Sequence, residues 1–389
     1  MTYSKRFSNV HDLSARIGFR YLKGKAEQDF GLGYNSPIDQ LISVQFGSNA
    51  LRQVGGSIGE STWFNTYLNA DYSYADKYFV SFNMAVDGSS RFGKNIPDVL
   101  TVSDNKFALL PSIAAAWLLS SEKFVNGNLF DMLKVRASYG LSGNDDIGNY
   151  TARQTYISQN FLGLQGLVRS GFGNNQLQWE KTSKLNVGFD ASLYNERLNL
   201  TVDVYHNKTS KMLVYEPVPV ASGSSFTITN SGAMATNGIE ASVNGRIINK
   251  VIKWDMGFTL ARSVTKVNQL PVDKILTSFA GATFITQESG APNLFYGYKT
   301  NGVFVSDAAA AQENLSRKNP DGSLVPFKGG DVRFQDSNND HIIDDNDRQV
   351  IGNPNPDFFG AITSTAAYKR FSLDVLFTFT QGNDIFNYT

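Results

Sequence analysis

Residues 185–205 read LNVGFDASLYNERLNLTVDVY, and this stretch decides the fold. Apolar and polar side chains alternate on both sides of the polar turn at 194–197. Successive side chains of a strand point to opposite faces, so the pattern predicts a β-hairpin with one apolar and one polar face. Similar hairpins recur along the 389 residues. What the chain does therefore depends on what its apolar faces meet.

Composition excludes several functional classes. The 35 basic and 35 acidic residues cancel, whereas a nucleic-acid-binding or polybasic surface needs a basic excess. The chain has no cysteine, and His11, His206 and His341 are far apart in sequence. Disulfides, thiolate metal sites and His-rich zinc sites are not expected. The adjacent aspartates at 145–146 and 344–345 suggest a glycosidase pair, but such loop pairs usually lie on the surface, and we predict that the chain is not an enzyme.

Eleven segments with this alternation are predicted strands: 11–22, 63–74, 78–88, 108–119, 132–140, 180–192, 196–206, 236–248, 252–264, 357–368 and 371–380. Short links alternate with long ones. The short links are 74–77, 194–197, 249–251 and 368–370, with a somewhat longer one at 120–131, and the long ones are 23–62, 89–107, 141–179, 207–235 and 265–356. This alternation is typical of an up-and-down meander with its tight turns on one side. We predict an all-β protein: an antiparallel up-and-down transmembrane β-barrel, here a partial barrel of about 11 strands with long extracellular loops.

The barrel interpretation assigns the two strand faces. Apolar faces meet lipid and polar faces line a hydrated lumen, so Leu200 and Val202 are predicted to face lipid, and Thr201 and Asp203 to face water. Aromatic residues beside the short turns are expected to form an interfacial girdle: Tyr72, Tyr74, Tyr78, Tyr194, Tyr368 and Phe371. The charged candidates for the lumen face are Lys134, Arg136, Asp190, Asp203, Glu240 and Arg246.

A soluble fold is the alternative. A β-sandwich also has one apolar face per strand, but it joins strands across two sheets with mixed link lengths. The competing hypothesis is a soluble, calcium-stabilised β-sandwich that binds carbohydrate or acts at the cell surface.

One acidic segment has the spacing of a calcium loop. Residues 336–347 read DSNNDHIIDDND. The candidate ligands, at positions 1, 3, 5, 7, 9 and 12 of such a loop, are Asp336, Asn338, Asp340, the carbonyl of Ile342, Asp344 and Asp347. His341 replaces the usual glycine and must adopt a positive φ. A solvated acidic loop is the alternative; a bound calcium ion is expected to pin a long loop.

Several motifs together resemble one family. They are DGSSRFG (87–93), LKVRASYG (133–140), GNDDIG (143–148), LQWEKT (177–182), FQDSNNDHIIDDNDR (334–348), IGNPNPDF (351–358) and QGNDIFN (381–387). In this order they are similar to motifs of the SusC/RagA family of TonB-dependent outer-membrane transporters.

The resemblance implies a barrel of about 22 strands in the outer membrane of a Gram-negative, Bacteroidetes-like bacterium. It implies import of oligosaccharides or peptides, energised by TonB, with a SusD-like lipoprotein over the extracellular loops. Residues 1–389 are expected to form a partial barrel. Residues 265–356 are expected to be an extracellular loop region that contains the calcium-like loop at 336–347. The plug domain of the family is not expected within these residues.

Overall fold

The main sheet is a single path of neighbouring strands. The computed structural model describes residues 1–36, 38–40, 43, 45, 53–97, 99–125, 129–161, 164–169, 171–224 and 226–387. Strands are numbered in chain order, and the numbers include the short strands within the links. The twelve described strands on the path are β1 (Thr2–Phe7), β2 (His11–Leu32), β3 (Gln53–Tyr74), β4 (Tyr78–Ser89), β6 (Asn105–Leu118), β7 (Phe130–Asn144), β10 (Glu180–Leu193), β11 (Leu198–Pro217), β12 (Phe226–Asn249), β13 (Ile252–Gln269), β23 (Phe358–Tyr368) and β24 (Phe371–Gln381).

The path confirms the predicted up-and-down order. All eleven predicted strands are present, and each lies beside the next one in chain order. The registers are antiparallel, as in Tyr74↔Tyr78 between β3 and β4 and Tyr368↔Phe371 between β23 and β24. This order contradicts a sandwich, in which connections cross between two sheets.

Several strands are longer than the alternation predicts. The ladder between β2 and β3 continues beyond Lys23↔Thr62 to Leu32↔Gln53, inside the predicted link 23–62. β11 and β12 likewise extend into the predicted link 207–235. On β2 the face that was apolar becomes charged at Lys23, Lys25 and Glu27, and on β11 the run MLVY at 212–215 interrupts the alternation. The period-2 signal is therefore lost, while the backbone hydrogen bonds do not depend on side-chain polarity. β1 was not predicted, for the same reason.

Left-handed residues form the short turns. Ala75 and Asp76 have φ of 53° and 54°, and Tyr194, Asn195 and Glu196 have φ of 58°, 57° and 61°. Asp131 Oδ2 accepts a hydrogen bond from the Glu196 amide at 2.9 Å. A side chain of β7 therefore holds the turn of the β10–β11 hairpin.

The two faces of the sheet differ in exposure. On β10 and β11, Val187 and Val204 are 52% and 53% exposed, while Gly188 and Ser192 on the polar face are buried. The aromatic residues predicted for the girdle are exposed beside the turns, including Tyr194 at 63% and Phe371 at 79%. An apolar face that remains open and a polar face that packs inward are the pattern expected of a wall with lipid outside.

The links contain short strands of their own. They are β5 (Leu100–Val102), β8 (Tyr156–Phe161), β9 (Leu164–Arg169), β14 (Lys274–Phe279), β15 (Ala282–Gln287), β16 (Leu294–Gly297), β17 (Thr300–Val303), β18 (Ser316–Lys318), β19 (Leu324–Pro326), β20 (Val332–Phe334), β21 (Ile342–Ile343) and β22 (Gln349–Gly352). Three-residue 3-10 turns lie at Leu119–Ser121, Val220–Ser222 and Asp345–Asp347.

The link between β13 and β23 has a small core. Helix α1 (Asp307–Glu313) begins after Ser306, whose side chain accepts a hydrogen bond from the Ala309 amide. Phe304, Leu315 and Phe327 pack with Ala310 and Ile343. No described helix is long and apolar enough to span a membrane.

The chain divides into two compact units. The first comprises residues 1–116, 138–184 and 209–231, and the second residues 117–137, 185–208 and 232–389.

Candidate functional site

An arginine and two aspartates meet on the polar face of the second unit. Arg136 Nη1 and Nη2 each lie 2.6 Å from an oxygen of Asp203, and its Nε lies 3.1 Å from Asp190 Oδ2. The planar guanidinium matches a carboxylate with two parallel hydrogen bonds. All three side chains are partly buried. The cluster carries a net negative charge and fixes three strands at one level of the wall.

Gly188 makes room for this cluster. A Cβ at this position would lie 2.6 Å from Asp203 Oδ1 and 3.1 Å from Arg136 Cζ. Real Cβ atoms do not approach other atoms as closely as 2.6 Å, so any side chain at residue 188 forces the ion pair to move.

The other charged residues predicted for the polar face also have partners there. Arg246 Nε lies 3.0 Å from Asp255 Oδ1 of the neighbouring strand, and the two residues are register partners. Glu240 and Tyr205 hydrogen bond across neighbouring strands. The described wall is thus lined by paired charges and hydrogen-bonded groups.

A buried core lies at the long-link end of the first unit. Leu177 and Trp179 are almost completely buried, and the Trp179 ring packs on Phe92 with 4.4 Å between centroids. Ala108 and Leu110 of β6 complete the contact. Trp179 is therefore a core residue of this unit. Among the described residues, its buried Nε1 has no hydrogen-bond partner.

A polar network holds this core against β11 and β12. Asn230 Oδ1 accepts from the Gln178 amide at 2.9 Å, and Asn230 Nδ2 donates to the carbonyls of Gln178 and Lys211 at 2.8 Å. Lys211, at φ 56°, donates from Nζ to Gln178 Oε1 at 2.9 Å. The end of the link 141–179 is therefore fixed by backbone-directed hydrogen bonds.

Three of the motifs that resemble the transporter family meet at this core. Arg91 of DGSSRFG donates to the Asp145 carbonyl of GNDDIG at 3.1 Å and to Asn149 Oδ1 at 3.1 Å. Asn144 Nδ2 donates to Glu180 Oε2 of LQWEKT at 2.9 Å. The motifs are separated in sequence and converge because β4 and β7 end, and β10 begins, on the same side of the sheet. Sequence order alone did not reveal this contact.

The acidic segment 336–347 is organised by its own backbone. Asp336 accepts hydrogen bonds from the amides of Asn339 and His341 at 2.7 and 2.8 Å. Asp340 Oδ1 accepts from the Ile342 amide, and Asp344 Oδ1 from the Asn346 amide, each at 2.8 Å. His341 has φ 65°, as the sequence required. Asx turns of this kind shape the backbone of the loop.

Asp347 closes the same segment. It is fully buried, and its two oxygens accept from the amides of Ser337 and Asp344, both at 2.8 Å. Within the described residues, no group of three or more His, Cys, Asp or Glu side chains is arranged to hold a metal ion. The side chains of Asp336, Asp340, Asp344 and Asp347 are used as backbone acceptors, so calcium binding by these residues, Asn338 and the Ile342 carbonyl stays a prediction.

Arg348 ties the segment to Tyr298, which lies between β16 and β17. A hydrogen bond with Tyr298 raises the pKa of the Arg348 guanidinium, so the side chain stays charged. Its Nη2 lies 3.2 Å from Asp345 Oδ1. This ion pair stabilises the loop in addition to the hydrogen bonds that Asp347 accepts.

Comparison with known proteins gives one consistent result. A profile of the family described as TonB dependent receptor-like, beta-barrel matches residues 2–381. The chain is 32% identical over 404 residues to TonB-dependent receptor P3 of Formosa agariphila, covering 100% of this chain and 39% of that protein. It is 25% identical over 410 residues to TonB-dependent receptor SusC of Bacteroides thetaiotaomicron, covering 97% and 38%.

A solved structure has the same fold. The structure of the RagAB peptide transporter matches with a TM-score of 0.76 at 24% identity, over 97% of this chain and 39% of that chain. The chain therefore spans about two fifths of the length of the relatives it matches.

Proposed function

The chain belongs to the TonB-dependent receptor-like β-barrel family, and on that basis we propose that it forms part of the wall of an importer of oligosaccharides or peptides. Its relatives are receptors and transporters and not enzymes, and the SusC-like proteins are outer-membrane proteins of Bacteroidetes. The chain is accordingly an outer-membrane β-barrel segment.

The observation that carries the proposal is the separation of the two faces along the path of strands. Apolar side chains such as Val187 and Val204 are open on one face, while the Arg136–Asp203 pair and the Arg246–Asp255 pair lie on the other. A polar wall with paired charges suits a hydrated cargo, because its groups exchange hydrogen bonds with water or with polar solutes at little cost.

The cargo class rests on the relatives. SusC and the RagAB peptide importer are the matched proteins, and an oligosaccharide or a peptide of several residues fits a wide, polar lumen better than a single ion does. We propose that uptake is energised by TonB and assisted by a SusD-like lipoprotein above the long links.

Uptake by intact cells tests this function. Deleting the gene is expected to abolish uptake of fluorescently labelled peptides or of labelled oligosaccharides, and dissipating the proton-motive force is expected to have the same effect. Complementation with the wild-type gene should restore uptake. Unchanged uptake of both classes in the deletion strain would contradict the proposal.

A second measurement tests the partner. Affinity purification of the tagged protein in mild detergent is expected to co-purify a lipoprotein encoded beside its gene, in about equal amounts. Loss of that lipoprotein should reduce uptake without reducing the amount of barrel in the membrane. Recovery of the barrel alone from wild-type cells would contradict the partnership.

A further inference from the structure

The outer faces of β11 and β13, the two strands that flank β12, change from apolar to basic at one level. On β13 the apolar side chains at 252, 254, 256, 258 and 260 are followed on the same face by Arg262 and Lys266. On β11 the apolar side chains at 198, 200, 202 and 204 are followed by His206 and Lys208. All four basic residues are exposed. We refer to His206, Lys208, Arg262 and Lys266 as the basic patch.

Strand register brings the patch together. Ile239 and Ala235 of β12 are the partners of Arg262 and Lys266. His206 Nδ1 lies 2.7 Å from Asn237 Oδ1, which joins β11 to β12 at the same level. A shallow depression of about 360 Å³ is lined by His206, Asn237 and Arg262 together with apolar side chains. Basic and apolar groups therefore share one concave surface.

The patch has no carboxylate opposite its β13 arginine and lysine. The β12 partners of Arg262, Val264 and Lys266 are Ile239, Asn237 and Ala235, all uncharged. On β2 and β3, by contrast, the outer-face lysine at a similar distance from the short turn has carboxylate partners. There Lys25 is the register partner of Glu60 and also forms an ion pair with Glu27. Arg262 and Lys266, unlike Lys25, therefore have no carboxylate as a register partner on β12.

The level of the patch corresponds to a membrane interface. A strand rises about 3.4 Å per residue, and a tilt of about 45° leaves about 2.4 Å per residue along the membrane normal. Arg262 is ten residues from Ile252 at the short-turn end, which gives about 24 Å. The apolar band of such barrels is about 25 Å tall. Arginine at that depth costs almost nothing, because its guanidinium reaches the headgroups.

We propose that the basic patch binds the phosphate groups of outer-leaflet lipid. The apolar side chains below it contact acyl chains, and Arg262 and Lys266 pair with phosphate, for which the guanidinium fork and the ammonium are both suited. A lipid supplies phosphate and acyl chain at the spacing of this surface, whereas free phosphate uses only the charges. The site lies on the outside of the wall and is separate from the route proposed for cargo.

Lipid titration of the purified protein tests the site. The protein is purified in detergent and titrated with monophosphoryl lipid A or with the same lipid after removal of its phosphate, and bound lipid is counted by native mass spectrometry. Arg262→Ser/Lys266→Ser is expected to weaken binding of the phosphorylated lipid roughly thirtyfold, since each interfacial cation contributes about a factor of five. Binding of the dephosphorylated lipid should be the same in variant and wild type.

Matched variants distinguish charge from folding. Arg262→Lys/Lys266→Arg keeps both charges and should retain most of the affinity, and Lys25→Ser removes an outer-face lysine elsewhere and should retain all of it. Unchanged binding of phosphorylated lipid by the serine variant would overturn the proposal. So would equal loss for both lipids, or displacement of the lipid by micromolar inorganic phosphate. Cargo uptake should be unaffected by these variants, so failure here is distinct from failure of the proposed function.

Discussion

At the scale of single residues, one buried carboxylate holds both ends of the acidic segment. Asp347 accepts from the amides of Ser337 and Asp344, residues on either side of the loop. The calcium spacing in the sequence depends on the same carboxylate as the last ligand. Its observed role as a backbone acceptor was not predictable, because the spacing of acidic residues is the same whether they face an ion or amides.

Asp347→Asn is expected to loosen this segment. An amide NH₂ then faces one of the two backbone donors, which leaves that donor unsatisfied and costs about 1–3 kcal/mol. Hydrogen exchange of the Ser337 and Asp344 amides should become at least about tenfold faster. Asp345→Asn is the control, since that side chain is 83% exposed and contacts the side chains of Arg348 and Tyr298. Equal protection in wild type and the Asp347 variant would contradict the role assigned to this residue.

Gly188 makes a second prediction at the same scale. Because the space for its Cβ is occupied by Asp203 and by the Val202 carbonyl at 2.8 Å, Gly188→Ala should displace the Arg136–Asp203 pair. We expect a loss of about 1–3 kcal/mol in the free energy of unfolding, measured by denaturant unfolding in detergent. Gly171→Ala, where no atom lies within 4 Å, should change it by less than about 0.5 kcal/mol. A similar loss in both variants would refute the steric argument.

At the scale of elements, the apolar segments of the strands were predictable and their polar extensions were not. The alternation in 185–205 located β10 and β11 because each face has a different solvent. From Lys23 onwards the face of β2 that was apolar carries Lys25, Glu27 and Asp29, so the apolar face that identified the strand is lost. The small core of Phe304, Leu315 and Phe327 was missed for another reason: its residues come from short segments without any periodicity.

The charged and aromatic clusters were predictable only in part. Alternation placed Arg136, Asp190 and Asp203 on one face, but their contact depends on the relative register of strands that are far apart in sequence. In the same way, the motifs around Phe92 and Trp179 were identified separately, and only the fold brings them into contact.

The Trp179 core provides the prediction at this scale. Because its Nε1 has no partner among the described residues, Trp179→Phe removes no hydrogen bond and should cost less than about 1.5 kcal/mol. Trp179→Ala should cost about 3–5 kcal/mol, since it empties a site packed against Phe92 and Leu177. Unfolding of the purified protein and exchange at the Gly93 amide, which donates to the Leu177 carbonyl at 2.9 Å, measure both changes. Similar losses for the two variants would show that the indole N–H has a partner.

At the scale of the whole molecule, the distribution of apolar and charged side chains and the path of strands have the same explanation. Along the apolar segments of the strands, charged side chains such as Arg136 and Asp203 lie on one face, while the opposite face is apolar. A soluble sandwich would bury its apolar faces against each other, but Val187, Val204 and Phe377 are all more than half exposed. Lipid is the medium in which such a surface is stable.

The alternation of lipid and water along a strand is the most direct test of this account. Since the chain has no cysteine, single cysteines can be placed and spin-labelled in the protein reconstituted into bilayers. Labels at Leu200, Val202, Phe377 and Phe379 should be accessible to oxygen dissolved in the bilayer and protected from a water-soluble nickel reagent. Labels at Thr201 and Asp203 should show the opposite accessibility. The reverse pattern, or equal accessibility at neighbouring positions, would contradict a wall with lipid on its apolar face and water on its polar face.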